Sequence, residues 1–198
     1  MIRVGVTGGL GSGKTTVLAM LAERGAATLS ADDIAKEMIA VGGPAHAPVA
    51  AGFPDCVRRD GSLDNKRLAS KVFGDARSLA WLNGLVHPLV ARRLEELLTA
   101  MDKDGTKVAV VEVPLLLEAG FARQFDLVVA VSSPEETRLA RLIDAGWNAA
   151  DARRRIAAQA LDSERAGIAD VVIDNSGNAR QLSKAVADLW QRIAKEAR

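Results

Sequence analysis

Hydrophobic positions along the chain follow two alternating patterns. Short apolar runs recur at Ile2–Thr7, Lys107–Val113, Asp126–Ser132 and Asp170–Asp174, with a weaker one at Ala26–Leu29. Stretches such as Val108-Ala109-Val110-Val111, Leu127-Val128-Val129-Ala130-Val131 and Val171-Val172-Ile173 have no polar interruption. Continuous β-branched runs of this kind suit parallel strands covered on both faces. Between them lie helical patterns at Lys14–Arg24, Ala31–Ala40, Asn65–Phe73, Arg77–Leu85, Pro88–Met101, Glu135–Ala145, Ala149–Leu161 and Asn178–Glu196. The alternation predicts an α/β fold, a five-stranded parallel sheet flanked by helices. Residues 41–64 hold most of the glycine and proline punctuation and read as a connecting stretch. From 65 to 101 the pattern is helical without a strong strand, too much for one crossover. A helical region beside the sheet is expected there, placed to receive a second substrate.

The loop after the first strand changes the picture most. Gly8-Gly9-Leu10-Gly11-Ser12-Gly13-Lys14-Thr15 is a complete phosphate-binding P-loop between a strand and a helix. Its backbone N–H groups cradle phosphates, and glycine permits close approach of the oxygens. Lys14 reaches the terminal phosphates and the Thr15 hydroxyl serves Mg²⁺. A nucleoside triphosphate is therefore expected, with Gly9, Gly11, Ser12, Gly13, Lys14, Thr15 and Thr16 as its contacts.

Composition narrows the classes. The 198 residues, 48% hydrophobic and 26% charged, suit a single compact domain. A net charge of +1 gives no basic field for nucleic acid. Three Trp, four Phe and no Tyr offer no base-stacking platform. One cysteine, Cys56, excludes an internal disulfide or a cysteine metal cluster. The chain opens directly on an apolar strand, so no secretory signal is expected, and no apolar run reaches membrane-spanning length. A cytoplasmic monomer acting on small molecules is expected, with neither membrane nor nucleic acid as partner.

The remaining candidates concern what receives the phosphate. The guanine-reading Asn-Lys-x-Asp and the Asp-x-x-Gly of regulatory GTPases are absent. A small-molecule kinase instead needs a carboxylate near the acceptor hydroxyl and arginines around the transferring group. Asp32, just beyond the second strand, stands at the sheet edge where open α/β sheets bind ligands; it is equally a good helix cap. His87, before a helix-starting Pro88, contacts phosphate or ribose, or is structural. Glu112 is an outer partner of Mg²⁺ or a solvated edge residue. Pro114-Leu115-Leu116-Leu117 is wall packing or an acceptor lining. Arg138, Arg141, Arg153, Arg154, Arg155 and Arg165 form a basic series from which one or two are expected to touch ligand.

Together these segments resemble the dephospho-coenzyme A kinase family, from Val4 to about Ala187. The P-loop, Ala31-Asp32-x-Ile34-Ala35, Asp60-Gly61-Ser62-Leu63-Asp64, Val72-Phe73, Leu82-Asn83 and His87-Pro88 carry the match. It continues through Val113-Pro114-Leu115-Leu116-x-Glu118, Ile156-Ala157-Ala158-Gln159 and Ala169-Asp170-x-Val172-Ile173-Asp174-Asn175-Ser176-Gly177. The resemblance implies a P-loop NTPase fold: core about 1–40, 105–134 and 168–198, helical acceptor-binding region about 41–104, and lid about 135–167. It implies phosphorylation of the ribose 3′-hydroxyl of dephospho-coenzyme A, with ATP and Mg²⁺. The alternatives are another small-metabolite P-loop kinase or a catalytically weak ATP-binding relative. Lys14, Asp32 and a lid arginine would be catalytic. His87, Pro114, Leu115 and Glu118 would belong to the acceptor side, and Asn175 and Gly177 to the ATP adenine. Two segments depart from the family pattern. Ser30 replaces the first acid of Asp-Ala-Asp, and Asp144-Ala145 replaces an Arg-Asp pair fifteen residues before Gln159. Arg141, one turn earlier, is the expected substitute for that arginine, with Arg138 behind it.

Overall fold

The computed structural model describes residues 1–117 and 120–196. In chain order the elements are β1 (Ile2–Gly8), α1 (Lys14–Ala22), β2 (Ala27–Ser30), α2 (Ala31–Ile39), α3 (His46–Gly52), α4 (Asn65–Phe73) and α5 (Ala76–Lys103). Then follow β3 (Val108–Glu112), β4 (Leu127–Ser132), α6 (Glu135–Asp144), α7 (Ala149–Ala157), α8 (Asp162–Ile168), β5 (Val171–Asp174) and α9 (Ala179–Glu196). The chain divides into two compact units, one of Met1–Ser30 with Ala100 onward, the other Ala31–Thr99. The second unit begins at Ala31 and so takes in α2.

The first unit is the expected five-stranded parallel sheet, in the order β2-β3-β1-β4-β5. β1 is central, and the chain builds first to one side of it and then to the other. The C-terminal end of β1 is thus a topological switch point, where open parallel sheets leave a crevice for ligand. On one face Val4, Val6, Val110, Val129 and Val131 pack under Val17 and Leu21 of α1 and Leu182, Val186, Leu189 and Ile193 of α9. The other face is equally dry. Ala109, Val111, Val128 and Ala130 are buried there, and a Cβ on Gly5 would lie 2.6 Å from Phe125 and 3.0 Å from Leu116. Burial on both faces is why these strands read as unbroken apolar runs.

In the second unit α5 corrects the expected break at Pro88. One helix runs from Ala76 to Lys103 with the proline inside it. Val86, Val90, Leu94 and Leu98 form one buried stripe across the proline. Burying each such side chain contributes about 1.5–3 kcal/mol, enough together to outweigh an interior proline at about 3 kcal/mol. Residues 41–64 likewise hold more structure than their punctuation suggested. α3 is anchored by fully buried Val49 and carries Pro48 in its first turn, where a missing N–H is harmless. A short 3₁₀ turn spans Pro54–Cys56, and Val57 pairs with Leu63 in an antiparallel bridge.

In the first unit, the helix expected over Ala149–Leu161 ends at Ala157, and α8 begins at Asp162. Leu161 is exposed and gains nothing by extending the buried stripe of Ala152 and Ile156. Its N–H instead donates to Glu164 Oε2 at 2.7 Å, opening the new helix. No helix among the described residues is long and apolar enough to cross a membrane.

Candidate active site

The P-loop leaves β1 at Gly8 and enters α1 at Lys14. Gly13 caps α1 with φ +95°, and Gly11 stands at φ +78°. Both lie in the left-handed region that side chains resist. Ser12 N–H closes the turn onto Gly9 O at 3.1 Å. The first turn of α1 contains no acidic residue, so the positive end of the helix dipole is not neutralised. Lys14 Nζ donates to Gly8 O at 2.9 Å and Gly9 O at 3.0 Å, which holds a buried ammonium across the loop. Thr15 and Thr16 follow in the same turn and are exposed.

Side chains from far along the chain fix the loop from outside. Gln159 Oε1 accepts from Leu10 N–H at 2.8 Å. Buried Asn175, just past β5, donates through Nδ2 to Ser12 O at 2.8 Å. Arg141 of α6 donates to Asn175 O at 2.9 Å, to Ser133 Oγ at 3.3 Å, and to Gly11 O and Ser12 O at 3.4 Å each. Ser133 Oγ adds a bond to Asn175 O at 3.1 Å. Arg141, the expected lid arginine, is therefore hydrogen-bonded to carbonyls of the loop itself.

A second charged group lies on the Gly9 side. Arg138 Nη1 packs so closely on Gly9 that a Cβ there would collide with it, and the Arg138 carbonyl is 2.8 Å from a Cβ on Gly11. Asp162 Oδ1 lies 3.8 Å from Arg138 Nη1 and 3.2 Å from Arg165 Nη1. Asp162 Oδ2 accepts from Ser132 Oγ at 3.4 Å. Sequence reading assigned no role to Ser133 or Asp162, and it quoted Gln159 only as part of a segment. Asp162 reads as an ordinary acid at a helix start, and no sequence spacing ties it to Arg138.

The strand ends add polar groups. Ser30 is in register with Glu112, and Ser132 with Asp174. Thr7 Oγ1 donates to Pro114 O at 3.4 Å, which fixes the turn after β3 beside β1. Leu115 is half-buried in that turn, and Leu116 is fully buried. Glu118 lies outside the described residues. Gly177 is exposed beyond Asn175 and lies against Gln181, whose Oε1 accepts from Asn178 N–H while its own backbone N–H donates to Asn178 Oδ1 at the start of α9. The structure thus gathers the P-loop residues, Arg141 and Asn175 into one network.

Asp32 and His87 belong to the second unit. Asp32 is exposed in the first turn of α2, two residues beyond the end of β2. Its neighbour Asp33 pairs with Lys36 at 2.6 Å, and that hydrogen bond raises the lysine pKa. His87 is half-buried in α5, and burial pushes its imidazole below the ordinary 6.5.

The dephospho-CoA kinase family model matches residues 2–181. The chain belongs to the dephospho-CoA kinase family. A family member from Streptomyces avermitilis is 45% identical over all of this chain and 96% of its own length. A solved Thermus thermophilus structure, TT1252, superposes with a TM-score of 0.82 at 30% identity, covering 96% of this chain and 97% of that one. The dephospho-CoA kinase of Campylobacter jejuni shares the fold at TM-score 0.74 and 22% identity, over 99% of this chain and 98% of its own.

Proposed function

We propose that the chain transfers the γ-phosphoryl group of ATP to the ribose 3′-hydroxyl of dephospho-coenzyme A, giving coenzyme A and ADP. This is the final step of coenzyme A biosynthesis. Family membership over nearly the whole chain carries the reading. The loop supports the nucleotide half: Gly11 and Gly13 take left-handed φ, and Lys14 and the α1 dipole supply positive charge. For Mg²⁺ the fit is of the usual kind, a single hydroxyl donor in Thr15. No cluster of three or more acidic, histidine or cysteine ligands occurs among the described residues, and Mg²⁺ ordinarily relies on substrate phosphates and water for the rest. When bound, the ion neutralises charge developing on the phosphates.

In this reading the protein's work is positioning and charge stabilisation. P-loop amides and Lys14 hold the transferring group, and a lid arginine completes the positive field. Asp32 orients the acceptor hydroxyl and takes its proton. His87, Pro114, Leu115 and Glu118 serve the acceptor, and Asn175 and Gly177 the adenine. The stretch at about 41–104 carries the acceptor region and that at about 135–167 the lid. The test is coupled ADP release with and without dephospho-coenzyme A, with coenzyme A followed directly. Acceptor-dependent release with matching coenzyme A is expected. Release that ignores the acceptor would mark a plain ATPase and overturn the reading.

A further inference from the structure

Arg138 is an under-satisfied cation inside the nucleotide site. Its side chain is only 9% exposed. Its Nε makes no hydrogen bond among the described residues. The nearest carboxylate oxygen, Asp162 Oδ1, is 3.8 Å from Nη1. A well-made bond between guanidinium and carboxylate is about 2.8 Å. That same Oδ1 is closer to Arg165, which is fully buried and also donates to Ala160 O at 2.7 Å. One carboxylate is therefore shared between two buried guanidinium groups, and Arg138 has the weaker share.

The position of this group is equally informative. Arg138 Nη1 touches Gly9, and a Cβ on Gly9 would lie 3.5 Å from Asp162 Oδ1. The Gly9 carbonyl is one of the two that hold Lys14 Nζ. Asp162 and Arg138 thus flank the residue whose carbonyl holds the phosphate-binding lysine. Buried Ser12 Oγ, also in the loop, is unpartnered among the described residues. A buried charge without full compensation is unfavourable, and a phosphate oxygen is the natural remedy in a loop built for phosphates.

The geometry points to Asp162 as an internal substitute for a nucleotide phosphate: it holds Arg138 beside Gly9 until a phosphate oxygen of ATP replaces it as that arginine's partner. Arg138 is then a catalytic residue that meets the nucleotide, and Asp162 a positioning residue that competes with it. The inference rests on the ATP-binding half of the proposed function. It gives the charge missing at Asp144 a replacement other than Arg141, whose guanidinium is spent on the loop's carbonyls.

Competition of this kind has an unusual signature. Removing the carboxylate should tighten nucleotide binding, whereas loss of a merely structural contact weakens it. Asp162→Asn should bind ATP about tenfold more tightly by calorimetry without acceptor, the scale of one hydrogen bond to a charged group. Inorganic tripolyphosphate should show the same gain, because the effect lies in the phosphates. In an Arg138→Leu background the Asp162→Asn gain should vanish. Unchanged or weaker ATP binding, or a gain that persists without Arg138, would overturn the inference. If Asp162→Asn does not fold, Arg138→Leu alone decides the matter. It should weaken ATP and tripolyphosphate about tenfold with the thermal midpoint preserved, and undiminished affinity refutes the role. Because no acceptor is used, inability to phosphorylate dephospho-coenzyme A would overturn the proposed function and leave this result standing.

Discussion

Arg141→Met separates bracing from phosphate contact in the lid. Methionine keeps most of the apolar stem and removes the guanidinium. The bond lost with good geometry is the one to Asn175 O at 2.9 Å; the others, at 3.3–3.4 Å, are long. Two of the orphaned acceptors retain donors, because Asn175 O keeps Ser133 Oγ and Ser12 O keeps Asn175 Nδ2. The net loss is therefore close to one charge-assisted hydrogen bond, about 2 kcal/mol. For a chain of this size that lowers the thermal midpoint by about 4–8 °C. If the whole loss falls on loop preorganisation, the KM for ATP rises by up to about thirtyfold. Differential scanning fluorimetry reads the first effect and coupled ADP release the second. An arginine that met the transferring phosphate in the transition state would behave differently. Its removal would depress kcat by about 10³ or more and leave the midpoint alone. That pattern would refute the bracing role and mark Arg141 as the lid arginine.

Three further outcomes follow from the site. Asp32→Asn should abolish most turnover with dephospho-coenzyme A while calorimetric ATP binding stays unchanged; near wild-type turnover would remove Asp32 as base. Gly13→Ala forces a side chain into φ +95° and against Asn175 Nδ2, whereas Gly105→Ala meets a similar φ of +83° in open space. The first should cost about 3 kcal/mol and the second about 1, and equal losses in urea unfolding would contradict the packing argument. For His87 the sign comes from burial. The folded imidazole resists protonation more than the unfolded one, so stability falls as pH drops through 6.5 and the loss is complete below the lowered folded value. His87→Gln should flatten that acid-side slope in urea midpoints at pH 7.5 and 5.5; an unaltered slope would remove His87 as its source.

The sheet was legible because its physics is local and repetitive. A run such as Leu127-Val128-Val129-Ala130-Val131, apolar at every position, has few solutions other than a doubly covered strand. The P-loop was legible because glycine, lysine and threonine at fixed offsets answer to one ligand geometry. Pro88 misled because the local rule for proline is strong, yet the stripe Val86–Val90–Leu94–Leu98 rewards continuity more. The restraints on the loop were less legible. Gln159, Arg141 and Asn175 act on Leu10, Gly11 and Ser12 across most of the chain, and periodicity carries no trace of such pairings. Asp162 was hidden in the same way, because its partners Arg138 and Ser132 come from other elements.

The distances in sequence between the P-loop and its restraints reach into synthesis. The loop's fixing bonds come from residues 130, 149 and 163 positions later in the chain. Its strand is equally dependent, since among the described residues β1 pairs with β3 and β4 alone. A growing chain therefore lacks the full set of these restraints until Asn175 has been added. High-contact-order closure of this kind is slow, and it makes nucleotide binding a late property of the chain. A chain truncated before Asn175 is expected to carry the loop's sequence without the bond that fixes Ser12, and so to bind ATP more weakly than the full chain.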